Sequence, residues 1–247
     1  MKDCIVIIPT YNEKENLAAL VREIHQVAPQ IDVLVIDDNS PDGTGEAIDE
    51  LARQNPGRVR AMHRAGKQGL GSAYVAGFKF ALSQTYDLIF QMDADFQHDP
   101  LDLPRFAAPA QEADVVIGSR YVEGGATTDW SLFRRMISQG GAMYTRALLG
   151  LPYRDVTTGY RCFRRQVLQN LNLDEVTTTG FGFQVEMLYR CYQMGARVVE
   201  MPIVFHARRV GESKMNSSIF VEAMALVWRL RRDDGHHRPP SVSTIGH

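Results

Sequence analysis

Asp93 and Asp95 follow directly on an apolar run, Leu88-Ile-Phe90, that reads as a buried strand. Side chains two residues apart in a strand point the same way, so both carboxylates can aim at one point where the strand ends. Gln97 continues the spacing with an amide oxygen. Two carboxylates and an amide make a hard, oxygen-only donor set. Such a set suits Mg²⁺ or Mn²⁺, with waters and phosphates completing the shell. No Cys or His pair with zinc spacing accompanies it. An Asp-x-Asp after a strand is also ordinary turn chemistry, so the motif needs support from the rest of the chain.

That support comes from the elements that precede it. Ile5 to Ile8 is a β-branched run ending at Pro9, and Val33 to Ile36 is a second one ending in Asp37-Asp38. Leu17, Leu20, Val21 and Ile24 repeat at helical spacing after the first run, with Asn12 as the expected N-cap. Ile48 and Leu51 mark a second helix, Val59 to His63 a weak third strand, and Phe78 and Leu82 a third helix. The alternation predicts a parallel sheet with right-handed crossovers. Ligands of such sheets sit at the carboxyl ends of the strands, where Thr10 to Glu13, Asp37-Asp38 and Asp93 to Asp95 converge. The glycine-rich stretch Gly66 to Gly71 has neither P-loop nor dinucleotide spacing and reads equally as a phosphate cradle or a turn. Lys67 within it is the stronger candidate, as a cation able to reach a nucleotide.

Downstream, Val115 to Gly118 reads as a strand leading into Arg120. Trp130, Arg134 and Ser138 recur every fourth residue on one expected helix face. Tyr153 to Arg161 is polar and turn-rich, Phe183 to Arg190 helical, and Val198 to Phe205 a last strand whose Pro202 places it near an edge. His206 to Met215 is a loop carrying Arg208, Arg209 and Lys214. Residues 219–232 form an amphipathic pattern, packed on the domain or lying in a lipid interface. The stretch from Asp233 has no periodicity and reads as a disordered tail. The division expected is a single catalytic domain over 1–215, the helix over 216–232 and the tail over 233–247.

The chain of 247 residues is 45% hydrophobic, ordinary for one α/β domain with a real core. A net charge of −2 gives no global field for nucleic acid. Three widely spaced cysteines argue for a reducing compartment. No secretory pattern opens the chain and no apolar run reaches membrane-span length, so a cytoplasmic protein is expected, able to touch a membrane surface.

Five stretches in this order resemble family 2 glycosyltransferases of the GT-A fold: Ile7 to Glu13, Val35 to Thr44, Met92 to His98, Gly118 to Tyr121 and Gly211 to Lys214. The Asp-Ala-Asp-x-Gln-His form, the Trp130 segment and the Gly-Glu-Ser-Lys loop are similar to the dolichol- or polyprenol-phosphate mannosyltransferase branch. The resemblance covers residues 4–231 and implies an α/β fold with a mostly parallel central sheet flanked by helices. It implies that Pro9, Tyr11, Glu13, Ile36 and Asp38 hold the base and ribose of GDP-mannose, with Lys67 and Ala94 beside the nucleotide. Asp93, Asp95 and Gln97 would bind Mg²⁺ or Mn²⁺. Arg120, Arg134 and Ser138 would hold the phosphate of a polyprenyl or dolichyl acceptor. Asp95, Arg120, Arg208 and Lys214 would do the catalytic work, at a membrane surface and with a small membrane-anchoring protein as a further partner. Two departures stand out: no membrane-span run follows the catalytic segment, and Ala207 stands where relatives often carry an acid before Arg208. The alternatives are another donor such as UDP-glucose, a hydroxyl acceptor with Glu186 or Asp155 as general base, a binding module without turnover, and a membrane-recruited adaptor.

Overall fold

The computed structural model describes residues 3–128, 130–178, 180, 182–208 and 225–232. It opens with β1 (Cys4–Thr10), α1 (Lys14–Val27), β2 (Asp32–Asp37), α2 (Thr44–Gln54), β3 (Val59–His63), α3 (Leu70–Ser83) and β4 (Leu88–Gln91). A 3-10 segment Pro100–Phe106 follows, then α4 (Pro109–Glu112), β5 (Val115–Ser119), β6 (Ala126–Thr127) and α5 (Leu132–Leu149). The remainder is β7 (Arg161–Arg164), α6 (Arg165–Asn170), a second 3-10 segment Leu173–Glu175, α7 (Gly182–Gln193), β8 (Val198–Pro202) and β9 (Val204–Phe205), with 225–232 helical.

Seven strands form one sheet in the order β3-β2-β1-β4-β7-β5-β8. All pairings are parallel except those of β7, which runs antiparallel between β4 and β5. Alternate side chains serve opposite faces, as the pleat requires. Ile5, Ile7, Leu34, Ile36 and Ile89 join one apolar cluster with Phe78 of α3 and Phe183 of α7. Val6, Ile8, Val33, Val35 and Phe90 join another with Leu17, Leu20 and Ile24 of α1 and Ile48 of α2. Burial on both faces explains why these strands are continuous apolar runs without alternation. Chain order reverses at β1, flanked by β2 and β4, and ligands of such sheets bind beside this switch point, at the carboxyl ends of the strands.

Three sequence expectations need correction. The N-cap of α1 is Glu13, not Asn12; Asn12 has φ +60°. The first α1 amides are instead served from the β2–α2 loop, where Asp42 accepts from Lys14 N at 3.3 Å and Thr44 Oγ1 from Glu13 N at 3.0 Å. Asp42 also accepts from Thr44 N at 3.0 Å, so one carboxylate caps the starts of two helices. Second, the run Val198 to Phe205 breaks at Ile203, and β9 leaves the main sheet to pair with β6. Third, Trp130 precedes α5, whose N-cap is Ser131. Strand β7 was unread in the sequence: four residues beginning with a buried arginine carry no apolar alternation.

Close approach fixes the packing of α3. A Cβ at Gly71 would lie 2.1 Å from the Thr178 carbonyl oxygen and 2.9 Å from the Phe183 ring. Backbone cannot give way as a flexible side chain does. Gly71→Ala is therefore expected to cost about 2 kcal/mol or more and to lower Tm by about 4–8 °C in a thermal melt. An unchanged Tm would show that α3 stands further from the 178 segment.

Candidate active site

The crevice is built from three strand ends, each followed by one residue in the left-handed region: Asn12 after β1, Asn39 after β2 and Phe96 after β4, at φ +60°, +59° and +63°. Asparagine tolerates this conformation; a phenylalanine in it is a strained outlier, of the kind that clusters at functional sites. The strain at Phe96 has a visible result. The Phe96 ring enters the core, and Gln97 N turns back to donate to Asp95 Oδ1 at 3.1 Å.

Asp93 and Asp95 stand together as their spacing requires. Tyr74 donates to Asp93 Oδ1 at 3.3 Å, its fully buried ring stacked on Phe183. Arg208 Nη2 lies 2.7 Å from Asp95 Oδ2. Burial raises both carboxyls above the ordinary carboxylate range, and the charge of Asp93 raises Asp95 further. Two carboxylates raised by burial, with Asp93 repelling Asp95, are oxygen donors that a divalent oxygen-seeking cation would satisfy. The residues present therefore fit Mg²⁺ or Mn²⁺. Gln97 donates its Nε2 to the His206 carbonyl at 3.3 Å, which ties the motif to the chain entering the Arg208 loop.

His98 was not singled out from the sequence. It is wholly buried, stacked on Tyr160 at 4.8 Å between ring centroids, and its Nδ1 accepts from Asp93 N at 3.1 Å. Burial lowers its pKa to about 4, so the ring is neutral, and its 3.8 Å approach to Asp93 Oδ2 is not an ion pair at neutral pH. It holds the backbone of the first carboxylate. Its position in the Asp-Ala-Asp-Phe-Gln-His run was the available signal.

Strands β1 and β2 and the chain leading into α3 carry the residues expected at the donor. Pro9 pairs with Ile36 across β1 and β2. Lys67 Nζ sits 4.1 Å above the Tyr11 ring. Asp38 takes Arg64 Nη1 at 2.5 Å and accepts the backbone amides of Gln68 and Gly69, each at 3.1 Å. The glycine-rich loop is thereby anchored to β2, and Asp38 has a structural task there. Glu13 accepts from Asn16 Nδ2 at 2.9 Å, and Ala94 is buried between Asp93 and Asp95 in the chain.

Beyond β5, the expected acceptor residues meet around aromatic rings. Arg120 lies within 5.1 Å of the Tyr121 and Phe205 rings and 5.6 Å of Trp130. Arg134 lies 4.4 Å from the Trp130 ring, and Ser138 Oγ is 2.7 Å from Tyr121 Oη. Asp155 grips Arg120 with two parallel bonds of 2.7 Å, from Nε and Nη2, and accepts Arg120 N at 3.0 Å. Burial alone would raise the Asp155 carboxyl; the Arg120 charge and hydrogen bonds outweigh it and hold it below the ordinary range. Glu186, the other carboxylate considered as a base, accepts from Thr178 N at 3.1 Å and Arg190 Nε at 3.0 Å. Both carboxylates are engaged as acceptors within the fold. Lys214 lies outside the described residues, as do residues 233–247.

Residues 5–172 match the family described as Glycosyl transferase family 2. The undecaprenyl-phosphate mannosyltransferase of Micrococcus luteus is 46% identical over 225 residues, 91% of this chain and 92% of that protein. The polyprenol monophosphomannose synthase of Mycolicibacterium smegmatis is 46% identical over 92% of this chain and 87% of its own length. The dolichol-phosphate mannosyltransferase of Pyrococcus furiosus is 35% identical, with 93% of this chain matching 64% of that protein. Among solved structures, glucosyl-3-phosphoglycerate synthase of Mycobacterium tuberculosis, with Mn²⁺, UDP and glucosyl-3-phosphoglycerate, superposes with TM-score 0.68 at 16% identity over 93% of this chain and 80% of that one. A Pyrobaculum calidifontis mannosyltransferase with GDP-Man and Mn²⁺ gives TM-score 0.63 at 17% identity over 96% and 66%. The Asp93–Asp95 pair thus stands on the GT-A fold expected from the sequence, and the chain belongs to glycosyl transferase family 2 as a glycosyltransferase.

Proposed function

We propose that the enzyme transfers mannose from GDP-mannose to a polyprenyl or dolichyl monophosphate, giving the β-linked mannosyl phospholipid and GDP with inversion. The observation that carries this reading is the acceptor side of the crevice. Arg134 lies over Trp130 there, next to Arg120 in its bond to Asp155, while the two carboxylates considered as bases, Asp155 and Glu186, are bound into the fold. An alcohol acceptor needs a base to remove its proton; a lipid phosphate is already an anion and needs cations to bring it against a negatively charged donor. The names of the bacterial and archaeal relatives support the same substrate class.

In this reading Asp93, Asp95 and Gln97 hold the divalent ion, which when bound supplies Lewis-acid stabilisation of charge on the departing diphosphate. Tyr11, Glu13, Ile36 and Asp38 frame the nucleotide, and Lys67 brings a cation over it. Arg208, which follows β9 and lies 2.7 Å from Asp95 Oδ2, would add its charge to the same diphosphate. Attack from the side opposite the diphosphate inverts the anomeric centre. The enzyme works from the membrane surface on which its acceptor resides.

The direct test is incubation with Mn²⁺ or Mg²⁺, polyprenyl phosphate and a panel of radiolabelled sugar nucleotides, followed by lipid extraction. Label entering the lipid from GDP-mannose supports the reading; label only from UDP-glucose, or only on a hydroxyl acceptor, rejects it. Arg134→Ala is expected to raise the KM for lipid phosphate by about 10- to 100-fold, the worth of one charge-assisted hydrogen bond, while leaving the KM for donor nearly unchanged. Equal losses at both substrates would remove Arg134 from the acceptor site.

A further inference from the structure

Gln184 is a buried amide that the fold does not use. It stands in the first turn of α7 and is 2% exposed, yet neither Oε1 nor Nε2 of its side chain has a hydrogen-bond partner among the described residues. Native proteins rarely leave a buried amide in that state; a water or a ligand usually completes it. Gln91 carries an amide in the same condition, but on a strand enclosed between β1 and β7. Gln184 is placed differently. A Cβ on Gly159 would lie 3.3 Å from Gln184 Nε2 and 3.5 Å from Asp93 Oδ1. The side chain that Gly159 lacks therefore leaves a hollow bordered by both the amide and the carboxylate. Gly159 is half-buried and the Asp93 side chain 34% exposed, so a solute can approach the hollow.

The hollow also lies between the two halves of the site. Asp155 and Thr157 both hold Arg120, through bonds of 2.7 Å and 2.8 Å, and two residues later Gly159 meets Asp93. One short turn thus runs from the arginine expected at the acceptor to the carboxylate expected at the metal. The group being transferred must occupy the space between them, because it leaves one and joins the other. Gln184 is fixed to the same frame. Arg161 donates to the carbonyls of Val156, Thr158 and Gln184 at 3.1, 3.0 and 2.7 Å. Phe183 stacks on Tyr74 at 5.7 Å, and Tyr74 donates to Asp93. A primary amide offers both donor and acceptor, which match a hydroxyl that accepts and donates.

We propose that the Gln184 amide hydrogen-bonds hydroxyls of the sugar being transferred and so helps to decide which sugar is accepted. This rests on the reading of Asp93 and Arg120 as marking the donor and acceptor phosphates. A site built to bond a substrate hydroxyl rejects the analogue that lacks it, because its own buried polar atoms then stay unpaired. Gln184 is in that unpaired state in the free enzyme and leaves it when the hydroxyl arrives.

The test compares the native enzyme with Gln184→Met, using GDP-mannose and its 2-, 3-, 4- and 6-deoxy analogues as donors to polyprenyl phosphate. Methionine keeps the length of the side chain and removes the unpaired amide, so Tm should hold or rise. The kcat/KM for GDP-mannose should fall about 10- to 100-fold, the worth of one or two hydrogen bonds. At least one deoxy donor should serve both enzymes equally, since the hydroxyl bonded to Gln184 is missing from it. A loss uniform across all the donors would make Gln184 a structural residue and overturn the proposal. Unchanged kinetics would overturn it too, leaving the amide to a water. The series is built on whichever sugar nucleotide the native enzyme uses. A wrong donor reading then shows as a different parent sugar, and a wrong reading of Gln184 as a uniform or absent loss within that sugar's series.

Discussion

Asp95→Asn is expected to lower kcat/KM by at least about 10³-fold and to abolish detectable Mn²⁺ binding at concentrations that saturate the native enzyme. A loss of that size corresponds to about 4 kcal/mol of transition-state stabilisation, in line with removing one group aimed at developing charge. Asparagine keeps the volume and can still accept from Gln97 N, so the turn after β4 should survive. What disappears is the charge that burial and Asp93 already make costly to carry unpaired. Arg208 loses its 2.7 Å partner in the same variant, so metal binding is to be read by titration or Mn²⁺ resonance as well as by rate. Arg208→Gln separates the two effects, since it should impair transfer while leaving Mn²⁺ binding in place. Native-like transfer by Asp95→Asn with Mn²⁺ still bound would remove Asp95 from the ligand set.

Much of this site was legible in the sequence because its signals are local. A β-branched run followed by acidic residues reports both a buried parallel strand and its carboxyl end, and three such runs give the sheet and the place of the Asp93–Asp95 pair together. What escaped were the features set by tertiary pairing. Strand β7 joins β4 to β5 through backbone bonds, and its first residue, Arg161, is fully buried with its guanidinium on the carbonyls of Val156, Thr158 and Gln184. No periodicity announces an arginine whose partners are all backbone carbonyls. Asn12 was read as a cap by type alone, and the actual caps come from Asp42 and Thr44, about thirty residues away. Asp155 was read as a possible base because a carboxylate near a cleft looks free until its partner is known. The 35-residue separation from Arg120 hid that partner.

That partnership carries the second large expectation. Asp155→Ala should cost about 3–5 kcal/mol, a fall in Tm on the order of 10 °C, because it leaves the buried Arg120 guanidinium without its counter-charge. The pair is almost fully buried, with side chains 7% and 0% exposed, so solvent screening does little to soften the loss. The pH dependence has a definite sign. The folded carboxyl titrates below its unfolded value of about 3.9, so its contribution is complete above that value and disappears as pH falls through the folded pKa. The native protein should therefore lose stability on the acid side more steeply than Asp155→Ala, and the two melting curves should converge there. Restoring packing without charge distinguishes stability from function. Arg120→Met/Asp155→Leu replaces a buried pair by apolar side chains and should recover much of the lost Tm. It should not recover transfer if Arg120 meets the acceptor phosphate. Recovery of both Tm and transfer would make Arg120 a structural residue and leave Arg134 as the phosphate's principal cation.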